Sequence, residues 1–204
     1  MKTNVFVLSV LFILSILLTW LLFFWSPAEE QNATHKILGI SVAPTGGDFT
    51  VKTNNKDLSL HGLKGKVVLL YFGYTQCPDI CPTSLALMTE AFKKMDKTAL
   101  DSVQGLFISV DPKRDNPEKL AEYTSYFHPN IIGATSDKQH IDKIVKQYGA
   151  SYRIVNSDSA MGYIVDHSSA TYLIDKKGQL RETLVHGTMP DKITSAVHKL
   201  LEEE

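Results

Sequence analysis

Two cysteines, Cys77 and Cys81, are the only ones among 204 residues, and three residues separate them in the stretch Gly73-Tyr74-Thr75-Gln76-Cys77-Pro78-Asp79-Ile80-Cys81-Pro82. An apolar run, Val67–Phe72, precedes them. A helical spacing follows over Thr83–Lys97, with Leu85, Met88 and Phe92 on one line and Leu87, Ala91 and Met95 on another. Strand, short loop, cysteine, helix is an order that sets Cys77 near a helix N-terminus, where unpaired N–H groups and the positive end of the dipole favour a thiolate. Pro78 suits the first helical position. On that reading the four-residue step puts both sulfurs on one helix face, with Cβ atoms roughly 5–6 Å apart. Two thiolates so placed chelate one soft metal ion. A disulfide, whose Cβ atoms sit about 3.8 Å apart, needs some backbone adjustment. Pro82, just inside the first turn, is expected to remove a hydrogen bond and loosen the helix, which gives the pair slack to switch between the two states. Spacing alone leaves two other readings open: a small structural disulfide, and two buried thiols used as apolar filler.

Paired thiolates select soft ions, cuprous copper or zinc, and an imidazole is the usual complement. Seven histidines are available. His35 lies in a linker, His61 borders a hairpin, His128 ends a helix before Pro129, His140 and His198 lie in helices, and His186 follows an edge-like strand; these read as surface residues. His167 differs. It sits in Val165-Asp166-His167-Ser168-Ser169, between two strand-like runs, where a loop presents it beside the end of the sheet that carries the cysteines. A histidine that merely caps a strand is the alternative.

The elements that must position these groups follow from the pattern. Gly46-Gly47 opens a hairpin in which Asp48–Thr53 and Leu58–Leu63 flank the turn Asn54-Asn55-Lys56-Asp57. Val67–Phe72 and Val103–Val110 are continuous apolar runs, as in strands covered on both faces. Asn116-Pro117-Glu118 starts a helix by cap chemistry that runs to about Phe127. A short strand at Ile131–Thr135 and a helix over Asp137–Tyr148, stopped by Gly149, come next. Strand-like runs cover Tyr152–Val155, Met161–Val165, Ser169–Ile174 and, after the turn Asp175-Lys176-Lys177-Gly178, Leu180–Val185; Pro190 opens a last helix to Leu201. The order predicts an α/β fold, a mixed sheet with helices on both faces and an N-terminal hairpin. No 20–50-residue repeat or low-complexity tract is present.

Composition narrows the function classes. Net charge is −1, with no basic footprint and no nucleic-acid motif, so no nucleic-acid partner is expected. Hydrophobic content of 44% with 21% charged residues is that of a globular chain. A domain of roughly 160 residues buries about 70% of its unfolded-chain surface, so it needs neither disulfide nor metal merely to fold. Val5–Trp25 holds 21 residues without a charge, roughly 31 Å as a helix, the thickness of a bilayer's hydrocarbon core. Trp20 and Trp25 sit toward one end, as interfacial anchors do. The run is longer than a signal peptide's apolar region, Ser26-Pro27-Ala28-Glu29-Glu30 is a poor cleavage site, and no cysteine lies nearby for lipid attachment. The expected organisation is a transmembrane anchor at 1–25, a linker at 26–45 and one domain at 46–204. Lys2 and the amino terminus alone precede the anchor, which places the N-terminus inside and the domain outside the cytoplasm. The absence of an Arg-rich, acid-poor transit peptide favours a bacterial inner membrane, with the domain on the periplasmic or extracytoplasmic side. A free dithiol in such an oxidising compartment is unstable unless reduced or occupied.

Four blocks together resemble the Sco/SenC family: GYTQCPDICP at 73–82, ISVDPKRDNPE at 108–118, YFHP at 126–129 and VDHSSATYLIDKKG at 165–178. Members of that family are membrane-anchored, thioredoxin-like copper proteins of cytochrome c oxidase assembly, and the resemblance covers the chain from about Gly46 to its end. It implies a thioredoxin-like fold and copper ligands at Cys77, Cys81 and His167 that serve both the cuprous and the cupric ion. It makes Asp111 a nearby supporting acid rather than a ligand. Many relatives carry His where this chain has Gln76, a position outside the ligand set, and Asn156–Gly162 is a stretch of a kind that varies in length among relatives. The implied role is a chaperone that delivers copper to the dinuclear centre of cytochrome c oxidase subunit II, served by a copper donor and a thiol reductant. The alternative is a thiol–disulfide reductase that keeps that subunit's cysteines reduced for metal loading. A peroxiredoxin-like peroxidase also uses a strand-to-helix cysteine, and a purely structural membrane adaptor would make the dithiol incidental. Three residues between the cysteines, where general thioredoxin-type reductases use two, together with the histidine block favour copper.

Overall fold

A computed structural model describes residues 11–20, 44–157 and 162–203. The chain divides into two compact units, residues 1–41 and 42–204. In the first, residues 11–20 are helical (α1). Among the described residues no helix is long and apolar enough to cross a membrane. The expected span at Val5–Trp25 and the linker at 26–45 lie largely outside the described residues.

The second unit is built on a five-stranded mixed sheet. Its strands are β3 (Val67–Gly73), β4 (Val103–Ser109), β5 (Ile131–Ala134), β8 (Thr171–Ile174) and β9 (Leu180–Leu184), in the order β5-β4-β3-β8-β9. β3, β4 and β5 run parallel, whereas β8 is added antiparallel beside β3 and β9 antiparallel beside β8. Every residue of β3 and of β4 is buried, as two unbroken apolar runs require. Alternate residues serve opposite faces. Val68, Leu70 and Phe72 of β3 enter one core with Tyr148 and Tyr172; Val67, Leu69 and Tyr71 enter the other with Leu85, Met88, Phe92 and Val197. Each such side chain contributes roughly 1.5–3 kcal/mol by leaving water, which fixes the register on which the site is built.

The first face is covered by the N-terminal hairpin, β1 (Thr50–Lys52) with β2 (Asp57–Ser59), and by helix α5 (Lys138–Gln147). The second is covered by α2 (Ile80–Lys93) and α6 (Pro190–Glu202), with Leu120 of α4 (Pro117–Ser125). The caps expected from sequence are in place. Asn116 accepts a hydrogen bond from the Lys119 N–H at 2.8 Å, with Pro117 at the first position of α4. α5 starts where Asp137 accepts from the His140 N–H at 3.0 Å. It ends on Gly149 at φ 67°, where Ala150 N–H reaches Val145 O and Gly149 N–H reaches Lys146 O, a Schellman closure that needs a left-handed residue.

Three expectations change. The helix predicted over Thr83–Lys97 is two: α2 stops at Lys93 and a short α3 (Lys97–Asp101) begins where Asp96 accepts from the Ala99 N–H at 2.9 Å. The strand-like runs around 152–165 do not join the main sheet. They form a separate antiparallel pair, β6 (Tyr152–Asn156) with β7 (Tyr163–His167). His167 accordingly ends β7, paired with Tyr152, instead of standing in a free loop.

Candidate metal centre

Cys77 lies ahead of helix α2, not in it. The N-cap is Asp79, and the first helical ladder bond runs from Thr83 N–H to Asp79 O at 3.1 Å. The reason is Pro78, whose ring drives the residue before it out of the helical region. The pair therefore does not share a helix face by four-residue spacing. The Cys77 N–H closes a turn onto Tyr74 O at 3.2 Å, and this turn brings its sulfur back over the helix end. Pro82 falls on the third residue of α2, among the first four N–H groups that have no ladder partner in any helix. It removes no hydrogen bond and does not loosen the helix, so the slack expected from it is absent.

The two thiols are not joined, and the sulfurs of Cys77 and Cys81 and one ring nitrogen of His167 all lie within 4.8 Å of one another. Cys81 is fully buried, while Cys77 and His167 are half-buried. His167 Nε2 is 3.3 Å from Cys81 Sγ, and its Nδ1 is 3.0 Å from Ser168 O. A carbonyl oxygen only accepts, so Nδ1 carries the proton and the Nε2 lone pair faces the sulfurs, the tautomer a metal-binding imidazole needs. Tyr71 and Tyr74 flank the ring at right angles, with centroids 6.3 Å and 5.8 Å away.

Charge is divided unequally between the sulfurs. The hydrogen bond from Cys81 is the largest influence on the Cys77 thiol and holds it far below the usual range; burial opposes this, and the backbone N–H groups of Asp79 and Cys81 reinforce it. Cys81 is pushed up, first by its bond to Cys77 and then by burial. Of the two, Cys77 is thus the readier thiolate. The acidification expected at the helix start therefore comes chiefly from Cys81, with N–H groups of the loop and first turn adding to it, rather than from a place inside the helix. Tyr71 is raised, first by burial and then by the neighbouring cysteine sulfurs. Its hydroxyl, near Cys81 and Ser84, makes no hydrogen bond of ordinary geometry.

This donor set fits a soft ion. Bonds of about 2.3 Å to sulfur and 2.0 Å to nitrogen allow ligand atoms up to roughly 4.6 Å apart, so the trio closes around one ion with shifts of a few tenths of an ångström. No other cluster of three potential ligands occurs among the described residues. Asp111 is buried and bonded to Arg114 and Tyr163, outside the trio, and Gln76 is exposed. His186 reaches Ser84 Oγ at 3.1 Å, His128 packs on Phe92, and His35 lies outside the described residues. Sequence reasoning missed Tyr71 and Tyr74, which read only as strand and loop aromatics, and the set behind the site formed by buried Asp115 with half-buried Arg114 and Tyr163.

Fold and site together define a thioredoxin-like domain with a Cys-x-x-x-Cys loop facing a distant histidine, a group suited to copper. The family model described as SCO1/SenC matches residues 39–202, and the chain belongs to that family. It is 42% identical over 150 residues to a SCO2-like protein of Rickettsia felis, covering 72% of this chain and 73% of that protein. The structure of Bradyrhizobium japonicum ScoI with copper bound is similar at TM-score 0.70 and 34% identity, covering 76% of this chain and 99% of that one. BsSco, described as a member of the Sco family of cytochrome c oxidase assembly proteins and as carrying a disulfide switch, is similar at TM-score 0.61 and 25% identity, covering 80% of this chain and 96% of that one.

Proposed function

We propose that the chain is a membrane-anchored copper chaperone that binds one copper ion through Cys77, Cys81 and His167 and helps assemble the dinuclear copper centre of cytochrome c oxidase subunit II. The observation that carries this reading is the convergence of two sulfurs and a correctly tautomeric imidazole within 4.8 Å. Copper is cargo here, and three soft ligands with two of them half-buried leave room for a ligand from the receiving centre. The apolar run Val5–Trp25 supports a single-pass anchor, with the linker at 26–45 and the domain on the extracytoplasmic side of a bacterial inner membrane. A copper donor and a thiol reductant complete the cycle.

A second reading rests on the asymmetry of the sulfurs, an accessible thiolate at Cys77 and a buried thiol at Cys81. As a thiol–disulfide reductase, Cys77 attacks a disulfide of the oxidase subunit and displaces one of its sulfurs. Cys81 then gives up its proton and attacks Cys77, releasing the second. Two electrons pass to the target, which ends as a dithiol, and the pair ends as a disulfide that a thiol reductant must reopen.

Loading fragments of apo subunit II with the metallated chain, while target thiols are counted, separates the two. The wild-type chain is expected to transfer copper, and His167→Ala to lose transfer while still reducing a target disulfide. A metallated wild-type chain that raises the thiol count but transfers no copper would leave the reductase reading alone.

A further inference from the structure

His167 stands on a hairpin that no strand of the main sheet holds. β6 and β7 pair only with each other, so the ladder that fixes the cysteine end of β3 does not fix the imidazole. Side chains of the loop after β4 do. Asp111, buried, accepts hydrogen bonds from Arg114 Nε and, at 2.9 Å, from the Tyr163 hydroxyl. One Arg114 NH group donates to Tyr163 O at 3.0 Å, and the guanidinium lies 3.6 Å over the Tyr163 ring. Tyr163 opens β7, and His167 closes it four residues on. The same guanidinium sits 5.5 Å from the Tyr74 ring; Tyr74 accepts from the Val165 N–H at 3.4 Å and packs its ring against His167. On the other flank Asp115 accepts from the Thr75 N–H at 2.9 Å and from the Thr75 hydroxyl at 2.5 Å, two residues before Cys77.

One five-residue loop thus touches both halves of the site. The geometry points to Asp111–Asp115 as a two-sided clamp that sets the imidazole over the sulfurs, with Arg114 as the positioning residue for His167. A residue that only neutralised Asp111 would need a charge alone. Arg114 instead spends a planar fork on a carboxylate, a backbone carbonyl of β7 and a ring face at once, which a point charge does not reproduce. Because β7 leaves the clamp at Tyr163 and reaches the sulfurs at His167, releasing one end of a short strand frees the other. The cysteines, held by β3, α2 and Asp115, stay where they are. The clamp therefore bears on the histidine-dependent part of metal binding more than on the two sulfurs.

The metal arm of the test rests on the copper reading; the other arm does not. In the reduced, metal-free full chain, Arg114→Gln is expected to shift or broaden the His167 ring nitrogen signals in NMR spectra and to speed Val165 amide exchange about 10-fold or more. With copper, it is expected to weaken cupric binding about 10-fold or more, the range seen when partners that orient a ligand are lost, and to alter the cupric EPR signal. Cuprous binding, carried mainly by sulfur, falls less. Arg114→Lys recovers only part of each effect. Val103→Ala, at the far end of β4 from the site, serves as the control for simple loss of stability and is expected to leave the imidazole and EPR signals unchanged. Wild-type imidazole signals and exchange in Arg114→Gln, or changes no larger than those in Val103→Ala, would overturn the clamp. If neither wild type nor variant binds copper, the proposed function fails and the metal-free imidazole signals still decide the clamp.

Discussion

Gly73→Ala is expected to destabilise the domain by about 3 kcal/mol, the upper part of the range for overfilling a packed core, and to abolish tight copper binding together. Gly73 ends β3 beside the cysteine loop, and a Cβ there would lie 2.6 Å from Cys81 Sγ and 2.7 Å from a ring carbon of Phe107. Both neighbours are fully buried, so neither moves freely in an interior packed to crystal density. To restore ordinary contact the sulfur must retreat by about 0.8 Å. Metal–ligand distances tolerate only about 0.2 Å. The glycine is therefore required by the close approach of the sulfur, not by its backbone angles. Thermal unfolding and copper stoichiometry measured on the same sample check this, and a variant with wild-type values of both would contradict it.

Asp115→Ala is expected to cost at least as much stability. The carboxylate is buried and receives three protein donors besides Lys119: Thr75 N–H, Thr75 Oγ1–H and Ser109 Oγ–H at 2.6 Å. Removing it leaves those donors without their acceptor, at about 1–3 kcal/mol for each that stays buried. The contact to Lys119, 3.2 Å long on a partly exposed side chain, adds little. The expected loss is about 3–4 kcal/mol, or roughly 10 °C in Tm for a domain of this size. Asp115→Asn, which keeps the shape and one acceptor oxygen, should cost about half. Denaturant unfolding of the pair checks the ratio; a loss below about 1 kcal/mol in Asp115→Ala would show that water replaces the carboxylate.

Much of the scaffold is legible in the chain because local chemistry and tertiary role agree. Val67–Phe72 and Val103–Val110 read as strands covered on both faces, and they are. Asn116-Pro117 and Asp137 announce helix starts that the hydrogen bonds reproduce, and Gly149 stops α5 as a left-handed cap. The start of α2 is not fixed by the chain alone, because Pro78 reads equally well as a first helical residue and as the proline that keeps Cys77 out of the helix. Only the turn onto Tyr74 decides between them. The break before α3 carried a signal, the cap at Asp96, hidden by apolar spacing that ran past it. That β6 and β7 stand apart from the main sheet is not a local property, since their residues pair well in either arrangement.

The site was legible to a different degree at each residue. The two cysteines follow from being the only pair, set between a strand and a helix. His167 stands out by its place between strand-like runs and by the family blocks. Its convergence with the sulfurs depends on Tyr74, Asp111, Arg114 and Tyr163, residues up to 89 positions apart in the chain. Within ISVDPKRDNPE two acids and an arginine look like a solvated loop. Nothing in their spacing says that Asp111 and Asp115 are buried or that they face opposite flanks of the same centre.

Copper titration of the reduced full chain, held in detergent, tests the central claim most directly. The wild-type chain is expected to bind one ion, and Cys77→Ala, Cys81→Ala and His167→Ala are each expected to lose tight binding, by at least the roughly 10–100-fold that lost outer-shell partners alone cause. Wild-type affinity surviving in all three variants would contradict the account.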